Sequence, residues 1–208
     1  MNTVISIDKL NKNKYRVGFD SREAIFLSEE TIYSNNITKD TSFTIEEIEK
    51  IIECDDYIVC KNYAFNLMGR FSKTKKELLE RLVSKGHSDL NIKKVIDLLE
   101  SYGLIDDKSF ARNYVMSKLH KESKEKIIFE LSFKGIDKEI ITEVLNELVE
   151  ENEDVFSDSL MKIAQKKYSE LKLKEDDTKT LKEKLYSYLT RKGFKWDEIK
   201  CCVNKIMD

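Results

Sequence analysis

The chain has 208 residues, 40% hydrophobic and 37% charged, a balance that suits several small helical cores better than one deep one. A formal net charge of −2 lacks the basic excess of a protein living on phosphates alone, the absence of proline leaves no forced kink, and no apolar run approaches the roughly 20 residues that cross a bilayer. Four cysteines (Cys54, Cys60, Cys201, Cys202) and two histidines (His87, His120) have no metal-ligand spacing, so free thiols and no bound metal are expected.

Residues 3–8 and 15–20 are rich in β-branched and aromatic side chains and read as strands, with a turn at Asn11 to Asn13; residues 23–27 read as a third. Ser28 opens a short helical segment that Asn35 and Asn36 end. A second helix starts near Thr44, where Thr44 and Glu47 make a capping box ahead of Ile48, Ile51 and Ile52. The N-terminus lacks a basic-then-apolar leader pattern, so residence in the cytoplasm is expected. Residues 1–56 thus form a small β-containing head, too small to bury much core alone, with 7 basic and 12 acidic groups.

A recurring frame organises the rest. Leu82, Lys85 and Gly86 are matched by Leu131, Lys134 and Gly135, and again by Leu189, Lys192 and Gly193. Aligning the glycines brings Leu78, Ile127 and Leu185 into register upstream, and Ile92, Ile141 and Ile199 downstream. Each frame reads as a helix stop: a glycine takes the left-handed conformation after a cation in the last turn. Ser88 and Asp137 stand where N-caps of the next helix belong, while the third copy has Lys195 there, followed by Asp197 and Glu198.

Three helical repeats follow, over 57–104, 105–149 and 150–208. The first has a helix carrying Tyr57, Ile58, Ala64, Phe65 and Met68 and ending near Gly69. A second helix over 75–85 carries Leu78, Leu79 and Leu82, and a third Ile92, Val95, Ile96 and Leu99. In the second, Asp107 or Ser109 can cap a helix with Phe110, Ala111, Tyr114, Val115 and Leu119, ahead of helices carrying Ile127, Ile128 and Leu131, then Ile141, Val144, Leu145 and Leu148. Residues 150–154 are the hinge candidate. In the third, Leu160, Ile163, Ala164 and Tyr168, then Leu181, Leu185 and Leu189, then Trp196, Ile199, Val203 and Ile206 form the apolar stripes, so Trp196 is expected to help close the core. The expected fold is mainly α: three tandem three-helix repeats behind a β-containing head.

Three stretches carry a resemblance to a known family. Tyr63 to Ser72, with Glu77 and Leu78 ahead of the Lys85-Gly86 stop, look like the opening repeat of the RecX family of recombination regulators. Gly103, Leu104, Ile105, Asp106 and Asp107, followed by Phe110 and Ala111, resemble that family's most specific signature, and Leu131 to Ile136 continue it. The resemblance implies an elongated, curved array of repeats. It also implies binding to the RecA recombinase, above all to the filament RecA forms on single-stranded DNA, with modulation of its activity, typically inhibition. One departure is visible: where family members often have an arginine-rich stretch with Gly-Tyr-Gly, residues 118–124 hold lysines mixed with acids and no glycine.

The chemistry-bearing surface is basic rather than catalytic. There is no phosphate-binding glycine loop, nucleophile–His pair or metal motif, so neither an enzyme nor a cofactor is expected. Arg70, Lys73, Lys75, Lys76, Arg81 and Lys85 cluster around the second helix of repeat one; Lys124, Lys126 and Lys134 occupy comparable positions in repeat two. Lys182, Lys184, Arg191 and Lys192 do so in repeat three. Together they form a candidate track for RecA or DNA on a monomeric chain, set against the blander alternative of solvated helix faces. The rival function is a helix-turn-helix protein binding duplex DNA without RecA. The acids in the helices after Gly86 and Gly135, including Asp97, Glu100, Glu139, Glu143 and Glu147, count against inserting those helices in a groove.

Overall fold

The computed structural model describes residues 1–69, 73–151, 159–174 and 177–207. The chain divides into two compact units, Met1–Ile105 and Asp106–Asp208.

The first unit begins with an antiparallel sheet. Strands β1 (Asn2–Asn11), β2 (Lys14–Phe19), β3 (Ile25–Ser28) and β4 (Ser42–Phe43) lie in the order β3-β2-β1-β4. The three strands expected before residue 28 are present; β4, only two residues long, pairs Phe43 with Asn2 and escapes periodicity analysis for want of length. Helix α1 (Glu29–Ser34) is capped by Ser28, whose side chain accepts from the Thr31 backbone N–H. Alternation along the strands turns Val4, Val17 and Leu27 onto one core with Ile32, Ile37, Ile48 and Ile51.

The two helices expected on either side of residue 56 are one. Helix α2 runs unbroken over Ile45–Met68, opened by the Thr44–Glu47 capping box. No glycine or proline interrupts it, so nothing in the backbone ends a helix that starts well. At about 1.5 Å per residue it spans roughly 36 Å, long enough to serve two cores. Its first turns lay Ile48 and Ile51 on the sheet; further on, Cys60 and Ala64 pack with α3 (Lys75–Ser84) and α4 (Asp89–Ser101). That second core holds Leu78, Leu82, Ile92, Val95, Ile96 and Leu99, the residues the apolar spacing selects. Thr74 and Glu77 form another capping box, and Gly86, at φ +80°, ends the α3 segment.

Across the α2–α4 crossing, Asp56 gathers three donors. Its Oδ1 lies 2.7 Å from His87 Nδ1, and Oδ2 accepts from the Ser88 backbone N–H at 3.1 Å and the Asn91 side-chain amide at 2.9 Å. Burial works to raise this carboxyl, but the bonds from Asn91, His87 and Ser88 outweigh it and hold it below its ordinary 3.8.

The second unit holds two helix triplets: α5 (Asp107–Lys118), α6 (Lys124–Phe133) and α7 (Lys138–Glu151), then α8 (Ser159–Lys172), α9 (Thr178–Arg191) and α10 (Trp196–Met207). The cap of α5 is Asp106, one residue before the expected candidates, and Ser109 is its target rather than the cap: the Ser109 N–H donates to Asp106 Oδ1 at 2.8 Å. The first triplet closes on Ala111, Val115, Ile127, Leu131, Ile141, Val144 and Leu148. The hinge candidate at 150–154 lies outside the described residues from 152 onward, and α7 continues to Glu151.

The second triplet closes on Ile163, Ala164, Leu185, Leu189, Ile199 and Val203, with Phe194 and Cys202. Trp196, expected among them, is instead 61% exposed. As the first residue of α10 it precedes the stripe, and Phe194, just after the Lys-Gly stop, takes the inward place. Cys60 and Cys202 are buried thiols while Cys54 and Cys201 are exposed, and no disulfide joins the described residues. Burial, with the charge of Asp56 adding to it, pushes the Cys60 thiol up to about 11. Among the described residues no helix is long and apolar enough to cross a membrane, and no cluster of potential metal ligands occurs.

Candidate partner-binding surfaces

In the first unit the predicted basic residues line α3 and its ends. Arg70 lies outside the described residues. Lys75 pairs with Glu100 at 2.7 Å and Lys76 with Glu80 at 4.0 Å, so part of this cluster is balanced locally by the acids interspersed with it. The Lys85 ammonium stands 5.5 Å from the centre of the Tyr63 ring. Arg81 is exposed in the last turn of α3, and Lys73 is half-buried just before its cap.

In the second unit the fold concentrates the basic residues where the two triplets meet. The Ser123 backbone N–H donates to the Lys192 carbonyl at 2.9 Å and its hydroxyl to the Gly193 carbonyl at 2.8 Å, while Lys126 Nζ donates to the Arg191 carbonyl at 2.9 Å. The N-terminus of α6 thus takes up the orphan carbonyls at the end of α9. Lys195 adds an ion pair to Glu125 at 3.3 Å. The glycine of the third frame is fixed by this contact as well as by its own turn. At φ +87°, a Cβ on Gly193 would stand 2.6 Å from Lys126 Cβ and 2.7 Å from Ser123 Oγ. Gly86, at φ +80°, faces open space.

Beneath this junction lies Glu122, only 8% exposed, which the sequence presents as one acid among the lysines of a loop. Lys118 reaches it at 3.3 Å, Lys126 at 3.5 Å and Lys192 at 3.8 Å. Lys126 and Lys192, predicted as partner contacts, therefore make their ion pairs inside the chain. Lys118 also approaches Glu130 at 3.7 Å, and Glu130 accepts from the Tyr114 hydroxyl at 2.6 Å. Burial, then that bond, pushes the Tyr114 phenol well above its ordinary value. Glu122→Gln keeps the shape but faces amide protons to three ammonium groups. It is expected to cost about 1–2 kcal/mol of stability, discounted because the lysines are partly solvated. Urea unfolding checks it, and an unchanged midpoint would reduce the cluster to packing alone.

The remaining predicted residues separate. Lys134 lies 5.6 and 5.9 Å from the Phe110 and Tyr114 ring centres. Lys124, Lys182, Lys184 and Arg191 are exposed. Three further lysines that sequence grouping passed over, Lys162, Lys166 and Lys167 on α8, join Lys121, His120 and Lys192 around an open cleft of about 380 Å³. The sequence signal was present in the basic excess of residues 162–195, which hold 11 basic and 5 acidic groups; helical spacing alone does not say that α8 and the α5–α6 connection share a cleft.

Family comparisons agree with this architecture. A family model described as RecX, second three-helix domain, matches residues 106–145, and one described as RecX, third three-helix domain, matches 154–203. Regulatory protein RecX of Clostridium perfringens strain 13 is 35% identical over 200 residues, covering 96% of this chain and 92% of the relative. That of Clostridium tetani is 33% identical over 205 residues, covering 99% and 94%. Among solved structures, a regulatory protein RecX superposes with a TM-score of 0.61 at 19% identity over the whole of both chains. RecX from Lactobacillus salivarius superposes with a TM-score of 0.58 at 26% identity over 74% of this chain and 97% of that one.

Proposed function

We propose that this chain, which belongs to the RecX family of regulatory proteins, binds the RecA recombinase in the filament it forms on single-stranded DNA and restrains its activity. The observation that carries the reading is likeness to RecX proteins along nearly the whole chain, at about a third identity, with the second and third three-helix domains matched over 106–145 and 154–203. A regulator of a filament gains from repetition. Several weak contacts to neighbouring protomers, once linked, act at high effective concentration without any single tight site. In this reading the three repeats, at 57–104, 105–149 and 150–208, are the units of that repetition behind the head at 1–56, in a cytoplasmic monomer without catalytic chemistry of its own.

The test is RecA-dependent ATP hydrolysis and strand exchange on single-stranded DNA with this protein titrated in. Concentration-dependent inhibition is expected; no effect at saturation overturns the assignment. Reversing Lys75, Lys76 and Arg81 together to Glu is expected to weaken inhibition about tenfold or more, with the larger loss at low salt, where exposed charges act furthest. Unchanged inhibition would assign those three residues to solvation.

A further inference from the structure

Trp196 is the chain's one tryptophan, and it lies outside the core that its triplet closes. Its ring packs against Tyr186 on α9, centroids 4.8 Å apart and planes at 46°. Lys182 and Arg191 flank the pair around a shallow, largely apolar cleft of about 560 Å³. A large aromatic surface, exposed and bordered by cations, is an arrangement on which an unpaired base can stack while its phosphates are neutralised.

The cleft does not stand alone. It shares Glu183, Ser187 and Arg191 with a second one reaching Lys167 and Tyr188. That second cleft shares Lys167 and Tyr188 with the lysine-lined one at Lys121, Lys162 and Lys166. The three form a continuous strip around α9. Among the described residues, eight lysine or arginine residues line it against two glutamates; Lys167 is itself paired to Glu170 at 2.9 Å and Lys192 to Glu122 at 3.8 Å. Tyr188 gives the strip a second aromatic ring, with the ammonium groups of Lys167 and Lys192 at 5.2 and 5.7 Å from its centre.

We propose that this strip is a binding site for single-stranded nucleic acid, with a base stacking on the Tyr186–Trp196 pair and the backbone phosphates lying over Arg191, Lys167 and Lys166. A duplex fits it poorly, because paired and stacked bases present edges rather than ring faces. The occupant is fixed by charge and by aromatic surface together: cations alone would suit any polyanion, and the ring pair selects one with exposed π faces. The stacking pair and the three cations named belong to the third triplet, with Lys121 of the α5–α6 connection at the far end of the strip, and the site goes beyond the RecA reading, giving the protein its own hold on a strand.

Trp196 makes the test direct. The full-length protein is titrated with a 20-nucleotide oligothymidylate at low salt, without RecA, following intrinsic tryptophan fluorescence. Saturable quenching is expected, with weaker binding to a duplex of the same length. Tyr186→Ala is expected to lower affinity for a labelled oligonucleotide about 5- to 150-fold with the salt slope kept. Lys166→Gln is expected to flatten the plot of log affinity against log salt by about 0.7. Lys182→Gln, at an exposed site, serves if the tyrosine variant fails to fold. No quenching by the oligonucleotide, equal affinity for duplex, or a tryptophan signal that answers only to added RecA would overturn the proposal, the last by making the strip a protein-docking face. Because the assay contains no recombinase, its failure leaves RecA regulation untouched.

Discussion

Gly193→Ala is expected to destabilise the second unit by about 3–4 kcal/mol, against about 1 kcal/mol for Gly86→Ala in the first. Both glycines have left-handed backbone, at φ +87° and +80°, which costs a residue with a Cβ roughly 1–2 kcal/mol. The difference lies in the surroundings. At Gly86 the added methyl meets nothing within 4 Å; at Gly193 it meets Lys126 Cβ at 2.6 Å and Ser123 Oγ at 2.7 Å. Lys126 Cβ is fixed to the α6 backbone and cannot swing away, so relief requires the two helix ends to part. Parting them lengthens the Ser123–Lys192, Ser123–Gly193 and Lys126–Arg191 bonds, each worth about 1 kcal/mol. Urea unfolding followed by the fluorescence of Trp196, which sits in the second unit, reads the effect. A Gly193→Ala midpoint as high as the native one would mean that the junction yields without loss.

That contrast shows how much of the fold was legible in the sequence. The three frames announced three left-handed glycines, and Gly86, Gly135 and Gly193 all have positive φ. A helix stop is a local event, written in the residues that make it. The second duty of Gly193, as the place where α6 sits on α9, is not local: Ser123 and Lys126 lie about seventy residues upstream. The same distinction separates Leu78, Leu82 and Leu99, which periodicity put correctly in a core, from Glu122, a buried acid whose three lysine partners include Lys192 from the next triplet.

Trp196 and α2 show two ways in which local reading misleads. An apolar residue one turn ahead of a stripe looks like part of it, yet Phe194 is the inward residue and Trp196 is exposed. A change from head to repeat looks like a boundary, yet a well-capped run without a breaker carries the helix across it. Of the candidate surface, the basic positions could be listed from the chain, but not their division. Lys126 and Lys192 serve the junction, whereas Lys182 and Arg191 border an aromatic pair that no basic pattern announces.

Asp56→Ala is expected to cost the first unit about 2–3 kcal/mol at neutral pH. The aspartate sits mid-way along α2 and accepts from His87 and Asn91, whose side chains are largely buried, and from the exposed Ser88 N–H at the start of α4. Truncation strips the largely buried His87 and Asn91 side chains of this acceptor, and a hydrogen bond to a charged group is worth about 1.5–3 kcal/mol. About a quarter of the Asp56 side chain still meets water, which keeps the total below the sum of three such bonds. The pH dependence has a definite sign. The folded state holds this carboxyl below its ordinary 3.8, so its ionised form favours folding; the contribution is complete above that value and is lost as pH falls through 3.8 toward the folded value. Other depressed carboxyls, Asp106 and Asp177 among them, also weaken the protein in acid, so the comparison must be made with Asp56→Asn. The gap in urea midpoint between native chain and variant is expected to be wide at pH 7 and to narrow below pH 3.8. A gap that stayed constant into acid would show that the α2–α4 crossing depends on the shape of residue 56 rather than on its charge.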